Sequence, residues 1–473
     1  MHSDKTKHIM SRQKWVAIPL FLGTVGLGLF LFARASVVID VPFLPHELPD
    51  NADQYRCLAL NCLQPIPPEI EVLGNPASLR YPACDQALAR TPWDLQAHDG
   101  RLYIGLGDDS NEGPTANAGP VPVIVYDPAS HRFISEAELP EEQLDRFYRH
   151  DDVLWIPGDD PRQSWRWGNV YRREANDAWR KFRTLPGTIH THTLAWHRGH
   201  LFAGLTVEHA VPEHVGQAGW GSAVAQSGDG GHTWRVQPLG GWRILDFLTV
   251  RGRLYAVDAF PGPGLQKWLD REQRQTYHAP MYEYIDEPGL FQRRPDLDAR
   301  VMFPATPQAG QRMALVERAV SFGKGSAYLG VFARKPDDPA VRGAYLAWNL
   351  QPGQVMVQRI PLPEGALALD LREEVGTLSV LFAEPLGDSN WHNHVWTTED
   401  GQHWQPAVDF TATAPARSFE RLGGDWIFGL SSLEPPKSGE CSSAHKAAGT
   451  LLRWHAHPPA WANHSSPILP APR

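Results

Sequence analysis

Ser227-Gly228-Asp229-Gly230-Gly231-His232-Thr233-Trp234 is the stretch whose reading decides the fold. Small polar residues stand at alternate positions. Asp229 can accept bonds from nearby backbone amides, and Gly231 is free to take a positive φ, so the segment reads as a tight hairpin turn. Trp234, returning on the second strand, can cover that hairpin with a large apolar face. A spacing of positions 1, 3, 5 and 8 recurs at Thr397/Glu399/Gly401/Trp404, with Glu in place of Asp and His in place of Thr. A weaker copy ends at Trp179.

Outward from this hairpin a longer unit returns about every fifty residues from residue 91 onward: an apolar strand, a turn with Gly or Asp, then a second apolar strand. Its turns are read at Gly100, Asp152, Gly199, Gly252, Gly325, Gly376 and Gly424. Five positions before each turn stand Leu95, Phe147, Leu194, Phe247, Val320, Leu371 and Phe419. Each unit reads as four strands. One such sheet cannot bury both faces alone, whereas a ring of sheets packs every face on a neighbour. The expected fold is all-β, a seven-bladed β-propeller of four-stranded antiparallel blades spanning residues 91–465, preceded by one N-terminal transmembrane helix. The last outer strand is expected either after Trp461 or from residues 35–90.

The hairpin resembles the Asp-box, or BNR repeat, of sialidase-like β-propellers, on Ser227, Asp229, Gly231 and Trp234. In those enzymes an R-I-P arginine joins two others on a carboxylate, a task that suits guanidinium forks. Arg90-Thr91-Pro92 occupies the corresponding place here. The resemblance implies Asp108 or Asp109 as the acid/base aspartate, and Tyr282 or Tyr284 beside Glu283 as the nucleophile. The familiar enzymes have six blades, and their Asp-box is a rim hairpin that also occurs in non-enzymatic propellers.

The chain has 473 residues and a net charge of −9, so it lacks the basic footprint of a nucleic-acid binder. Residues 15–33 are uncharged and mostly apolar behind Lys5, Lys7, Arg12 and Lys14. As a helix they would span about 28 Å, near the hydrocarbon thickness. The reading is a cytosolic tail over 1–14, a signal anchor over 15–34 and a bulk held outside the cytosol, in a bacterial periplasm. A cleavable signal peptide ending near Ala33-Arg34-Ala35 is the alternative. Residues 35–90, rich in proline and without a sustained period, read as tether and cover. The four cysteines, Cys57, Cys62, Cys84 and Cys441, all follow the apolar run, where disulfides persist. They allow three pairings, among them Cys84 with Cys441 and Cys57 with Cys62.

The inner strands of a propeller surround its channel, so the residues they present are the binding candidates. Six positions before the turn stand Asp94, Arg146, Thr193, Asp246, Ala319, Asp370 and Ser418. Seven before stand Trp93, Asp145, His192, Leu245, Arg318, Leu369 and Arg417, with His190 and Arg243 two positions further back. Charges at a wet channel mouth also pair with each other for solubility alone. His190 with His192, and His392 with His394, each share a strand face. With Asp246 nearby a metal can be imagined, but most such pairs are surface residues and no third ligand is assigned. No cofactor is expected. The leading expectation is a non-catalytic binding or assembly module whose bowl, with Asp94, Arg146, His190, His192, Arg243, Asp246, Arg318, Asp370 and Arg417, takes a glycan, peptide or envelope protein. The alternatives are a sialidase-like hydrolase of an acidic sugar and a metal-binding envelope protein.

Overall fold

The computed structural model describes residues 36–63, 65–110, 114–115, 118–159, 162–208, 220–239, 241–259, 280–306, 314–332, 341–387, 390–433 and 440–456. The apolar run at 15–34, the tail before it, the Ala35 side of the alternative cleavage site and the segment after Trp461 lie outside these residues. Among the described residues no helix is long and apolar enough to cross a membrane.

Seven antiparallel sheets form a propeller. Their innermost strands are Asp94–His98, Tyr148–His150, Thr188–His197, Ile244–Val250, Ala314–Phe322, Leu367–Glu374 and Ala416–Leu422, which head blades 1 to 7 in chain order. Blades 3 to 6 are four consecutive strands each. The core lies between blades rather than within them. Trp155 and Phe182 of blade 2 pack with Leu194 and Leu201 of blade 3, and Leu329 and Leu346 of blade 5 pack with Leu371 and Val380 of blade 6. This follows from the alternation of each strand, which puts apolar side chains on both sheet faces and leaves only a neighbouring blade to cover them.

The ring closes with the N-terminal segment. Ile70–Gly74 pairs antiparallel with Leu451–Trp454 as the outer strand of blade 7, so residues 35–90 supply the last strand. The same segment adds Val37–Asp40 to the edge of blade 2 and His46–Glu47 to the edge of blade 1. Both edges are thereby covered, which removes unpaired backbone that would template association. Cys84–Cys441 fastens this closure across 357 residues, and Cys57–Cys62 closes a small loop. The three strands of this segment, four, two and five residues long, are too short to give a sustained period.

The hairpin turns carry the register. Two-residue turns between twisted strands favour positive φ at both positions, and Asp99-Gly100, Arg198-Gly199, Arg251-Gly252, Val375-Gly376 and Gly423-Gly424 all have it. In blade 5 Phe322 pairs with Gly325, so the turn is Gly323-Lys324, one residue earlier than the sequence reading at Gly325. Val375 is the misfit: a β-branched residue at φ 50°, 97% exposed. Val375→Asn should raise stability by about 1 kcal/mol, because asparagine tolerates the left-handed region and no contact is lost. A denaturant midpoint that does not rise would show that the turn bears no such strain.

The decisive stretch is closed by its own side chains. Gly231 N donates to Ser227 Oγ at 2.9 Å, Thr233 N and Oγ1 donate to Asp229 at 2.9 and 2.6 Å, and Trp234 Nε1 donates to Thr184 Oγ1 of blade 2 at 2.9 Å. Burial would lift the Asp229 carboxyl, but the Thr233 and Ser227 donors overcome it and hold it at about 2. Gly231, at φ 91°, is where the turn needs a residue without Cβ. The second copy is shifted by one residue. Thr398 Oγ1 receives Gly401 N at 2.9 Å, and Asp400, not Glu399, receives His403 N at 2.8 Å. A bulge between Val395 and Trp396 accompanies the shift, and the turn is one residue shorter. Both turns clasp the preceding blade, since Thr184 donates to Gly231 O and Gln358 to Gly401 O.

Candidate functional site

Once the blade 5 turn is set at Lys324, the residues six positions before each turn become Asp94, Arg146, Thr193, Asp246, Arg318, Asp370 and Ser418. The alanine in that ring was an artefact of the one-residue error, and Arg318 replaces Ala319. These residues form a belt at the hub. Arg146 of blade 2 reaches Asp246 of blade 4 at 2.7 Å, and Arg318 of blade 5 reaches Asp94 of blade 1 at 2.7 Å as well as Asp370 of blade 6. Bonds between non-adjacent blades require that the side chains meet near the axis. Arg372, the third arginine of the belt, also meets Asp94. Three aspartates thus face three arginines, and the belt balances its own charge.

The carboxylates also tie strand to strand. Asp94 accepts Phe147 N at 2.7 Å, Asp370 accepts Phe419 N at 3.0 Å, and Asp246 accepts Thr193 Oγ1 at 3.1 Å. Burial pushes the Asp94 carboxyl up, but Arg318 and Arg372 outweigh it and leave it below the usual carboxylate range. The belt is a load of buried charge held by excellent partners, so it staples the hub.

One residue earlier on each inner strand lies a second ring: Trp93, Asp145, His192, Leu245, Glu317, Leu369 and Arg417. In blades 3 to 7 the pairing register slips at this position, between Thr191 and Thr193, Ile244 and Asp246, Val316 and Arg318, Ala368 and Asp370, and Ala416 and Ser418. A bulge re-aims a side chain. Four of the seven, Trp93, Asp145, Glu317 and Arg417, line one cavity of about 150 Å³ together with Asp109, Gln143, Arg146 and Arg318.

This cavity is acidic at one side. Burial lifts the Asp109 carboxyl to about 7, with Asp159 adding to the rise and Arg243 opposing it. Burial likewise lifts Asp145, again with Asp159 adding to it and Arg146 opposing. Asp145 Oδ1 is buried without a hydrogen-bond partner among the described residues. At the other side Arg417 Nη2 binds Glu317 at 3.0 Å and lies over the Trp93 ring at 5.3 Å. Burial would raise Glu317, but Arg342 and Arg417 hold it at about 2.

The histidine pair stands beside this. His190 and His192 stack with centroids 5.1 Å apart. His190 Nδ1 meets Asp159 at 2.9 Å, and His192 Nε2 meets Thr206 Oγ1 at 2.8 Å. Burial, then His190 and Arg243, push the His192 imidazole well down, so it stays neutral. Asp246, imagined beside these rings, is spent on Arg146; the carboxylate that faces them is Asp159. Arg243 is fixed through its backbone N, which donates to Asp258 at 3.0 Å, and its guanidinium lies over Trp242 at 5.6 Å.

Four of the residues carried over from the family resemblance stand elsewhere. Arg90 is buried and donates to the carbonyls of Ala448, Tyr81, Ala83 and His445, so it rivets the closure segment and does not join the other arginines. Tyr284 lies on the third strand of blade 4, packed on Phe202 and Phe291 and hydrogen-bonded by Gln226 near the rim. Glu283 is held by Arg253 and Arg294. Asp108 closes its own loop by accepting Thr115 Oγ1 at 2.5 Å and Ser110 N at 3.0 Å. Of that set only Asp109 lines the cavity. Sequence reasoning missed Asp159 and Glu317 as candidates. Glu317 was hidden by the register error, and Asp159 follows the second strand of its blade, where no inner-strand ring reports it. Asp145 and Trp93 stood in the second ring and were passed over.

No family model matches the chain, and no curated protein matches it. Among solved structures it is similar to a puromycin-hydrolysing peptidase of Mycobacterium tuberculosis (13% identity, 73% of this chain and 51% of that one, TM-score 0.41). It is also similar to a β-fructofuranosidase of Bombyx mori in complex with sucrose (10%, 77% and 88%, 0.33). A third is the sialidase of Trypanosoma rangeli (15%, 54% and 46%, 0.30). At these identities and scores the resemblances assign no activity to the chain.

Proposed function

We propose that the cavity at the hub binds a sugar and that Asp109 and Asp145 form the acid/base pair of a glycoside hydrolase. The observation that carries this is the sharing of one small cavity by two carboxyl groups both pushed up by burial and by a third, Asp159. Carboxyl groups kept protonated near neutrality are what glycoside cleavage needs in its general acid. Asp145, with no hydrogen bond to one oxygen, supplies the proton to the leaving oxygen; Asp109, the more readily ionised beside Arg243, is the base or nucleophile. The Trp93 ring offers an apolar edge to a sugar, and the cavity's size limits the bound part to about one ring. The turn at 227–234 fits an Asp-box acting as an inter-blade clasp, consistent with its place on the rim. The two disulfides support an extracytoplasmic location, which the proposal includes together with the N-terminal anchor.

The test is hydrolysis of a panel of aryl glycosides, neutral and acidic. Asp145→Asn should lower kcat/KM by at least ~100-fold, the ordinary worth of a general acid, with an unchanged melting temperature or a higher one. The activity should also fall on the alkaline side as Asp145 ionises. If no glycoside in the panel turns over, the hydrolase reading fails. The non-catalytic binding module is then the better reading. It is favoured by the pairing of Arg146, Arg318 and Arg417 with protein carboxylates, and by the absence of Arg90 and Tyr284 from the cavity. Retained binding of a glycan without turnover, lost in Asp109→Asn, would establish it.

A further inference from the structure

Outside the hub, blade 6 presents a cluster that neither reading uses. On neighbouring strands Thr377–Gly387, Asn390–Thr398 and Gln405–Ala412, Glu384 pairs opposite His392, and His394 opposite Asp409. We propose that Glu384, His392 and His394 form a binding site for a divalent transition-metal ion of the zinc(II) type, with Asp409 beside it as fourth ligand or orienting carboxylate.

One ligand atom from each of Glu384, His392 and His394 lies within 4.8 Å of the other two, the only such trio among the described residues. The histidine rings are 3.9 Å apart at their centroids. His394 Nε2 is 3.2 Å from Glu384 Oε2, while its Nδ1 is 3.4 Å from Asp409 Oδ2, and His392 Nε2 is 2.6 Å from the same oxygen. Two imidazoles and a carboxylate converging on one point are the donor set that zinc, copper(II) or nickel(II) prefers, whereas calcium and magnesium demand oxygen. If Nε2 of His394 ligates, Asp409 receives its Nδ1–H, the arrangement that fixes the tautomer of a metal-bound histidine.

The scaffold holds the site ready. His394 is stacked on Phe382 at 4.8 Å with an interplanar angle of 16°, so its rotamer is set before any ion arrives. The three ligands come from adjacent strands of one sheet, which makes the separations rigid. The site is still reachable, with 31% of the His392 side chain and 29% of Glu384 exposed. It belongs to neither the belt nor the cavity, so an ion here would be bound independently of the hub.

The experiment is calorimetric titration of the full-length chain, first stripped with a chelator, with zinc chloride. One ion per chain is expected at this site, with affinity in the range of about 1 µM or tighter. His394→Ala and His392→Ala should each weaken that binding by at least ~30-fold, and Asp409→Asn by about tenfold. The apo melting temperatures control for folding, and His392→Ala, the more exposed ring, is the variant of choice should His394→Ala fail to fold. Cobalt(II) at the same site should give the visible absorption of a low-coordinate complex, lost in His392→Ala. Absence of zinc uptake would overturn the proposal, and so would uptake that survives both histidine substitutions. Displacement of the zinc by equimolar calcium would overturn it too.

Discussion

Arg318→Met should cost about 3–5 kcal/mol of stability at neutral pH, read as a lowered denaturant midpoint. The guanidinium bonds Asp94 at 2.7 Å and also meets Asp370, and both carboxylates are fully buried. Removing one partner leaves the other charge without compensation, and that penalty exceeds the net value of the pair itself. Arg372 remains beside Asp94, which keeps the loss from being larger. The pH dependence gives the sign. The Asp94 carboxyl lies below its ordinary value in the fold, so its contribution is present above the unfolded value, near pH 4, and disappears as pH falls through the folded one. In the variant that depression is relieved. The difference between variant and parent should therefore shrink as pH falls below about 4. A difference that stays constant as pH falls from about 5 to about 2 would show that the belt acts by packing alone.

Gly241→Ala is expected to cost about as much, roughly 3–5 kcal/mol, by a different route. A Cβ at this position would lie 1.4 Å from Asp258 Oδ2. The carboxylate has nowhere to go. It is 1% exposed, and it accepts Ser222 Oγ at 2.7 Å, Trp242 N at 2.8 Å and Arg243 N at 3.0 Å. Burial pushes it to about 7 in spite of these donors. Hence it binds its proton more tightly in the fold than in the unfolded chain, and its contribution to stability declines as pH rises from about 4 to 7. The substitution must break these bonds or move the 241–243 segment, which carries Arg243 at the hub. If the melting temperature of Gly241→Ala falls by only a degree or two, Asp258 does not anchor that segment.

Part of the hub was legible because strand alternation and turn chemistry are local. The fifty-residue period, the apolar residue five positions before each turn and the glycines after Asp99, Arg198 and Arg251 suffice to count seven sheets. Blade 5 shows how thin the margin is. Gly323 and Gly325 flank Lys324, and placing the turn on Gly325 rather than on Lys324 exchanged a belt arginine for an alanine. The second hairpin failed in the same way, because Glu399 and Asp400 are adjacent acids and only a bulge tells which one turns back to the amides.

What the sequence by itself determined is the repeat, the sheet architecture and the rings from which the hub is drawn, since these depend on residues close together in the chain. Tertiary structure alone decided which charges neutralise each other, because Arg146 and Asp246, or Arg318 and Asp94, stand 100 and 224 residues apart. It also decided that Arg90 is a rivet, that Asp159 stands where its charge raises the carboxyls of Asp109 and Asp145, and that residues 70–74 supply the outer strand of the last blade. Each of these outcomes turns on distances of a few ångströms across an axis that no local pattern encodes.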